Sequence, residues 1–304
     1  MTHSINTSMS AKQWLMLIAL SILWGGSFFF VEVALEDLPT FTIVALRVGI
    51  AALVLWSVVL VTKLPIPTKA NIWFAFLVMA LLNNAIPFSL ITWGQTHISS
   101  GLASILNAAA PFFTVIIAGL FLPDEKIKGL KIAGVVVGFI GVAIMIGLPN
   151  ARDDDYLLGQ LAVLLGGVSY ALAVTYGRRF KALGVQPVVL ASSQALFAFF
   201  IMMPIALSTD GTPNLAMVSW SSVASILGLG ILSTALAYIL YFKILDTAGA
   251  VNAILVTLLI PVSGVLLGVL ILQETLALVH LVGMGLIAIG LSLVDGRLWR
   301  SNRD

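Results

Sequence analysis

Two opposite charges sit where charge is expensive. Glu32 and Arg47 are the ionisable side chains that lie clearly inside long apolar stretches of the sequence. An ion near the centre of a bilayer costs roughly 3 kcal/mol or more, so such residues pair, face a cavity or do work. They flank one short connection and lie about four residues apart in depth, roughly 6 Å at 1.5 Å per residue. The two read either as a structural ion pair that cancels both charges or as an outer gate, a proton site or a carboxylate anchor.

Four amides accompany them. Asn83, Asn84, Asn107 and Asn252 fall mid-span or close to it. Each amide both donates and accepts, so the set could hold the ammonium and carboxylate of a zwitterion without a fixed charge. Taken singly, each fits an interhelical hydrogen bond, worth about 0.6 kcal/mol on average. Trp24 lies at mid-depth beside Gly25 and Gly26. An indole there either packs on a neighbouring helix or forms a platform for a ligand, and its N–H needs a partner. Tyr170 and Tyr238 bring hydroxyls with the same need. The expected substrate-binding set is therefore Trp24, Asn83, Asn84, Asn107, Tyr170, Tyr238 and Asn252. Pro87, Pro111, Pro204 and Pro261 interrupt spans, and each frees the carbonyl four residues back, at Asn83, Asn107, Phe200 and Thr257. In lipid a freed carbonyl must be satisfied or face a cavity. Spans three, four and nine are expected to break and line an internal space, with Pro111 and Pro261 as hinges; ordinary kinks are the alternative.

Other chemistries are excluded. There are no cysteines, and His3, His97 and His280 are scattered, so no metal site and no cofactor is expected. HExxH, GxSxG and Walker A patterns are absent, as are paired intramembrane aspartates. The chain reads as no enzyme, and without an ATP site its driving force must be a gradient.

The elements that must carry these residues follow from composition. Of 304 residues, 60% are hydrophobic and 9% charged, against roughly 25% charged in soluble domains, and the mean hydropathy is +1.12. That excludes a soluble enzyme and a nucleic-acid-binding domain, and points to an all-α, multi-pass membrane protein. A helix needs about 20 apolar residues to cross the hydrocarbon. Ten spans are expected, at 14–34, 40–61, 71–94, 100–122, 130–148, 157–177, 187–207, 217–242, 249–272 and 277–294. Lys12, Lys63, Lys69, Lys126, Lys128, Lys131, Arg178, Arg179, Lys181, Lys243, Arg297, Arg300 and Arg303 then share one side, with Arg152 opposite. The positive-inside rule places that side, and both termini, in the cytoplasm. Glu36, Asp37, Asp153, Asp154, Asp155, Asp210 and Glu274 mark the outer connections.

Sliding the second half over the first by about 149 positions brings Glu125 onto Glu274, Gly134 onto Gly283 and Gly141 onto Gly290. Pro111 meets Pro261 and Ala103 meets Ala253 with small shifts. The expected organisation is a cytoplasmic segment 1–13, a repeat 14–148, an outer linker 149–156, a repeat 157–294 and a cytoplasmic tail 295–304. Five spans per half is an odd number, so the repeats insert with opposite orientation, as in secondary transporters that work by alternating access. A duplication that is only architectural is the alternative.

The motifs Leu23-Trp24-Gly25-Gly26-Ser27-Phe28, Ser100-Gly101-x-Ala103-Ser104-x-Leu106…Pro111 with Asp124-Glu125, and Ala250-x-x-Ala253…Pro261…Gln273-Glu274 with Gly283 and Gly290 resemble the EamA-type drug/metabolite transporters over nearly the whole chain. The overall pattern is similar to YddG-like amino-acid exporters of bacterial inner membranes. The second half has Tyr170-Ala171 where the first has Trp24-Gly25. The resemblance implies an exporter of a small-molecule substrate, an amino acid, in a bacterial inner membrane, with lipid but no nucleic acid as partner. A facilitator or channel, or a flippase, is the rival reading. Glycines at helical spacing, Gly134, Gly138, Gly141, Gly283 and Gly290, read as packing faces inside a monomer, with homodimerisation as the alternative.

Overall fold

A backbone in hydrocarbon has no water to bond, so each apolar run satisfies its own N–H and C=O groups as a helix. The structure, a computed structural model, describes residues 9–123, 125, 129–146, 154–212, 217–253, 255–296 and 299, and every regular element among them is helical. Asp124, Lys126, Lys128, Arg152, Asp153, Arg297, Arg300 and Arg303 lie outside these residues, as do most of the 149–156 linker, residues 1–8 of the first segment and most of the tail.

Eight described helices are long and apolar enough to cross a membrane. They are α1 (Ala11–Leu35), α2 (Thr40–Val61), α3 (Ala70–Gln95), α4 (Ser100–Phe121), α6 (Asp154–Ala182), α7 (Pro187–Thr209), α8 (Trp220–Ala248) and α10 (Leu278–Asp295). Two shorter apolar helices, α5 (Leu130–Ile146) and α9 (Val256–Leu270), complete the order. α1 starts at a capping box, where Gln13 N–H donates to Ser10 Oγ at 3.4 Å and Ser10 N–H to Gln13 Oε1 at 2.8 Å. The connections alternate between two ends of the bundle. One carries Glu36, Asp37, Asp210 and Glu274 and is called the acidic end; the other carries Lys63, Lys69, Arg178 and Arg179 and is called the basic end.

Packing repeats when each helix is exchanged for the one five places on. α1 packs on α9 as α6 does on α4, α1 on α8 as α6 on α3, and α2 on α8 as α7 on α3, while α2–α7, α4–α9 and α5–α10 map onto themselves. Small residues allow the closest approaches. A Cβ on Gly134 would come 2.5 Å from the Gly290 carbonyl oxygen, and one on Gly141 2.8 Å from that of Gly283. On α1, a Cβ at Gly25 would come 2.8 Å from the Gly264 nitrogen and the Ile260 oxygen. These glycine faces are filled from within the chain.

The interruptions differ in part from those the prolines predict. α4 does break, with a turn at Ala108–Ala109 between Ser100–Asn107 and Ala110–Phe121. α3 does not: ahead of Pro87 it widens into a π-helical segment, Leu81–Ala85, and continues. Ser169 Oγ of α6 donates to the Leu82 carbonyl there at 2.7 Å. α9 runs unbroken through Pro261, and Leu255, just before its first residue Val256, lies in a turn. A second π segment, Gly228–Leu236 in α8, has no proline near it. It occupies the place in the second half that Leu81–Ala85 has in the first.

Candidate substrate site

The two π segments meet the same polar cluster. A π turn takes in an extra residue and re-aims the side chains around it, often at functional sites. In α3 it carries Asn83 and Asn84. Asn83 Nδ2 donates to the Tyr238 hydroxyl at 3.1 Å and to Gln194 Oε1 of α7 at 3.4 Å; Asn84 Nδ2 reaches the same hydroxyl at 3.5 Å. In α8, Thr234 Oγ1 donates to the Leu229 carbonyl five residues back at 2.7 Å, and accepts from Arg47 Nε at 2.9 Å. The Arg47 guanidinium carbon lies 3.7 Å from the centroid of the Phe88 ring. Its charge also reaches Tyr170 and Tyr238. Helices α2, α3, α6, α7 and α8 thus converge on one buried cluster.

The expected Glu32–Arg47 pair does not form. α2 packs on α7 and α8 rather than along α1, so Arg47 turns to Thr234 and Phe88. Glu32 instead accepts from Gln95 Nε2 at 3.2 Å, and that amide also donates to the Phe28 carbonyl at 2.9 Å.

The remaining expected residues are spread around the cluster. Trp24 is half-buried, its ring 5.4 Å from that of Tyr241. Tyr241 contacts Phe242 at 5.7 Å, and Phe242 stacks on Tyr238 at 6.2 Å, giving an aromatic chain from Trp24 to the amides. Asn107 ends the first part of α4, and its buried Oδ1 has no hydrogen bond among the described residues; neither has that of Asn84. Asn252 is buried, and its Nδ2 donates to the Ala248 carbonyl at 2.9 Å. Tyr241, Thr234, Gln194, Gln95 and Phe88 were not foreseen. They look like filler of apolar runs, and only the three-dimensional convergence marks them.

Comparison with known proteins decides the family. The model of the EamA-like transporter family matches residues 12–147 and again 157–294. The chain belongs to the EamA-like transporter family. It is a multi-pass membrane transporter, and the relatives of this EamA protein are transporters rather than enzymes. A probable amino-acid metabolite efflux pump of Escherichia coli is 25% identical to it, over 96% of this chain and 98% of the pump. The uncharacterized inner membrane transporter YedA of Escherichia coli is also 25% identical, over 91% of this chain and 89% of YedA. A protein of known crystal structure superposes with a TM-score of 0.68 over 96% of this chain and all of its own, at 18% identity, a likeness of fold alone.

Proposed function

We propose that this EamA-family protein is a secondary transporter that exports small amphipathic metabolites, amino acids including aromatic ones among them, by alternating access. In this reading ten helices cross a bacterial inner membrane as two inverted five-helix repeats, 14–148 and 157–294, with the basic end and both termini in the cytoplasm. Trp24, Tyr170 and Tyr238 form aromatic walls, Asn83, Asn84 and Asn107 supply hydrogen bonds, and Pro111 and Pro261 lie where the helices flex.

The observation that carries the reading is the cluster itself. Two π segments, in equivalent helices of the two repeats, aim polar side chains at one buried place. Buried polar groups without partners are costly, and a solute supplies the missing ones. The groove between α2, α3 and α7, about 300 Å³, is lined by apolar side chains such as Phe41, Leu81, Ile86 and Ile201, with Ser89 as its polar member. A lipid headgroup has little to bond there, which favours the central route over a flippase.

Counterflow in proteoliposomes tests the proposal. An internal load of unlabelled amino acid should accelerate uptake of a labelled one. Folded protein whose uptake ignores every load would be a channel or would carry another solute. Trp24→Ala and Asn107→Ala should lower transport without lowering expression; normal kinetics in both would remove the site assignment.

A further inference from the structure

We propose that Arg47 is the anion anchor of the site, so that the solute carries one carboxylate with an ammonium beside it; this rests on the transport reading above. Arg47 is 7% exposed. A guanidinium has five N–H donors, and among the described residues only Nε is engaged, by Thr234. Phe88 covers the guanidinium carbon at 3.7 Å, and neither Nη group makes a hydrogen bond among the described residues, so both are open to a ligand. No carboxylate pairs with it among the described residues: Glu32 bonds Gln95, and Glu125 forms ion pairs with Lys131 and Arg178. A cation taken from water without an anion is unfavourable, and removing that defect is what an incoming anion would gain. The fork of an arginine matches a carboxylate with two parallel hydrogen bonds.

Charge and spacing narrow the class. Every other described Lys or Arg lies at or within about two turns of the basic end. A single positive charge therefore faces the ligand, enough for a monoanion and half of what a phosphate dianion needs. Asn84 reaches the Tyr238 hydroxyl at 3.5 Å, and Tyr238 is one of the two tyrosines within reach of the Arg47 charge. The Asn84 Nδ2 is spent on Tyr238, while its buried Oδ1 accepts nothing among the described residues. A bare acceptor in the same cluster as the guanidinium suits an ammonium. The pair reads carboxylate and ammonium together, the two charges of an α-amino acid, with the chain from Trp24 to Tyr238 beside it for an apolar side chain.

The test is competition against counterflow of labelled L-phenylalanine by the full chain in proteoliposomes. The competitors are L-phenylalanine, L-phenylalaninamide, 2-phenylethylamine, 3-phenylpropionate and inorganic phosphate. L-Phenylalanine should compete best and 3-phenylpropionate less well. The amide and the amine should be at least tenfold weaker than the amino acid, and phosphate inert. Arg47→Gln should raise the half-inhibitory concentration of both carboxylates at least tenfold and leave that of the amide unchanged, with Arg47→Lys in between. Equal competition by amino acid and amide in the wild type overturns the anchor, as does an Arg47→Gln protein with wild-type ratios. Competition by phosphate overturns the monoanion assignment. If Arg47→Gln does not yield monodisperse protein, the wild-type series and Arg47→Lys decide. If no amino acid drives counterflow, the transport reading fails, and thermal stabilisation by 3-phenylpropionate, wild type against Arg47→Lys, still reads the anchor: equal stabilisation of the two removes it.

Discussion

The carboxylate of Glu274 caps a helix to which it does not belong. It accepts from the Ser100 backbone N–H at 2.9 Å, the Ser100 hydroxyl at 2.6 Å and the Gly101 N–H at 2.9 Å, all at the start of α4. Two other carboxylates of the acidic end do the same. Asp37 accepts from the N–H and hydroxyl of Ser219 and from Ser222 Oγ at the start of α8. Asp210 accepts from Thr42 N–H at 2.7 Å and Thr42 Oγ1 at 3.0 Å at the start of α2. Helix N-termini favour negative charge and present unsatisfied N–H groups. Each cap ties the first repeat to the second. Glu125, which aligns with Glu274, lies at the basic end and forms ion pairs with Lys131 at 3.3 Å and Arg178 at 3.8 Å.

Removing the Glu274 cap should loosen the acidic end. A lost cap costs about 0.5–2 kcal/mol, and 1 kcal/mol moves a two-state ratio by roughly fivefold. The chain has no cysteine, so a single reporter is clean. Ser104→Cys places it in a buried position on α4, one turn inside the cap. Reaction with a membrane-impermeant maleimide added at the acidic end should quicken about fivefold in the Glu274→Gln background. An unchanged rate would show that the cap does not hold the end closed.

Asp37 gives the acidic end a pH dependence. Hydrogen bonds from Ser219 and Ser222 stabilise its ionised form and hold its carboxyl below the usual range. A carboxylate lowered in the folded state contributes stability that is complete above its ordinary pKa. That contribution fades as pH falls through the ordinary value and is gone below the lowered one. Wild type should therefore unfold at a higher temperature than Asp37→Asn at pH 7, and the gap should narrow as the pH falls through 3.8, the carboxyl's ordinary value. A gap independent of pH would assign the difference to packing.

The α5–α10 contact predicts a steric effect. A Cβ on Gly134 meets the backbone of α10 at the Gly290 oxygen, so the helices must part to admit it. Overpacking of this kind costs about 1–3 kcal/mol. Gly134→Ala should lower the unfolding temperature in detergent, whereas Gly285→Ala, on α10 with open space around its Cβ, should not. Equal behaviour of the two would mean that the α5–α10 approach is soft.

The family and the apolar helices were legible because hydropathy and the paired motifs act over whole segments. Side-chain partners were not. Glu32 and Arg47 are close in depth, but depth says nothing of azimuth, and α2 turns its charged face toward α8. Proline marks a lost N–H but not how the chain absorbs it: α3 answers Pro87 with a π turn, α4 breaks before Pro111, and α9 carries Pro261 without a break. The π segment of α8 has no residue type that announces it, so Thr234 stayed hidden.

Tyr238 is the meeting point of the first repeat's amides with the second repeat, which a double-mutant cycle can measure. Its hydroxyl accepts from both Asn83 and Asn84. Tyr238→Phe keeps the ring stacked on Phe242 and deletes only that acceptor. Asn83→Ala deletes the nearer donor. Interhelical hydrogen bonds in membrane proteins couple by about 0.6 kcal/mol on average and by up to about 1.7 kcal/mol. The two single variants should each destabilise, and the double variant should lose less than their sum by an amount in that range. Strict additivity in detergent unfolding would mean that the hydroxyl and the amide do not touch. Coupling in stability together with a raised KM in Tyr238→Phe alone would place the hydroxyl at the solute as well as at the helix contact, because a purely structural bond would leave KM where it was.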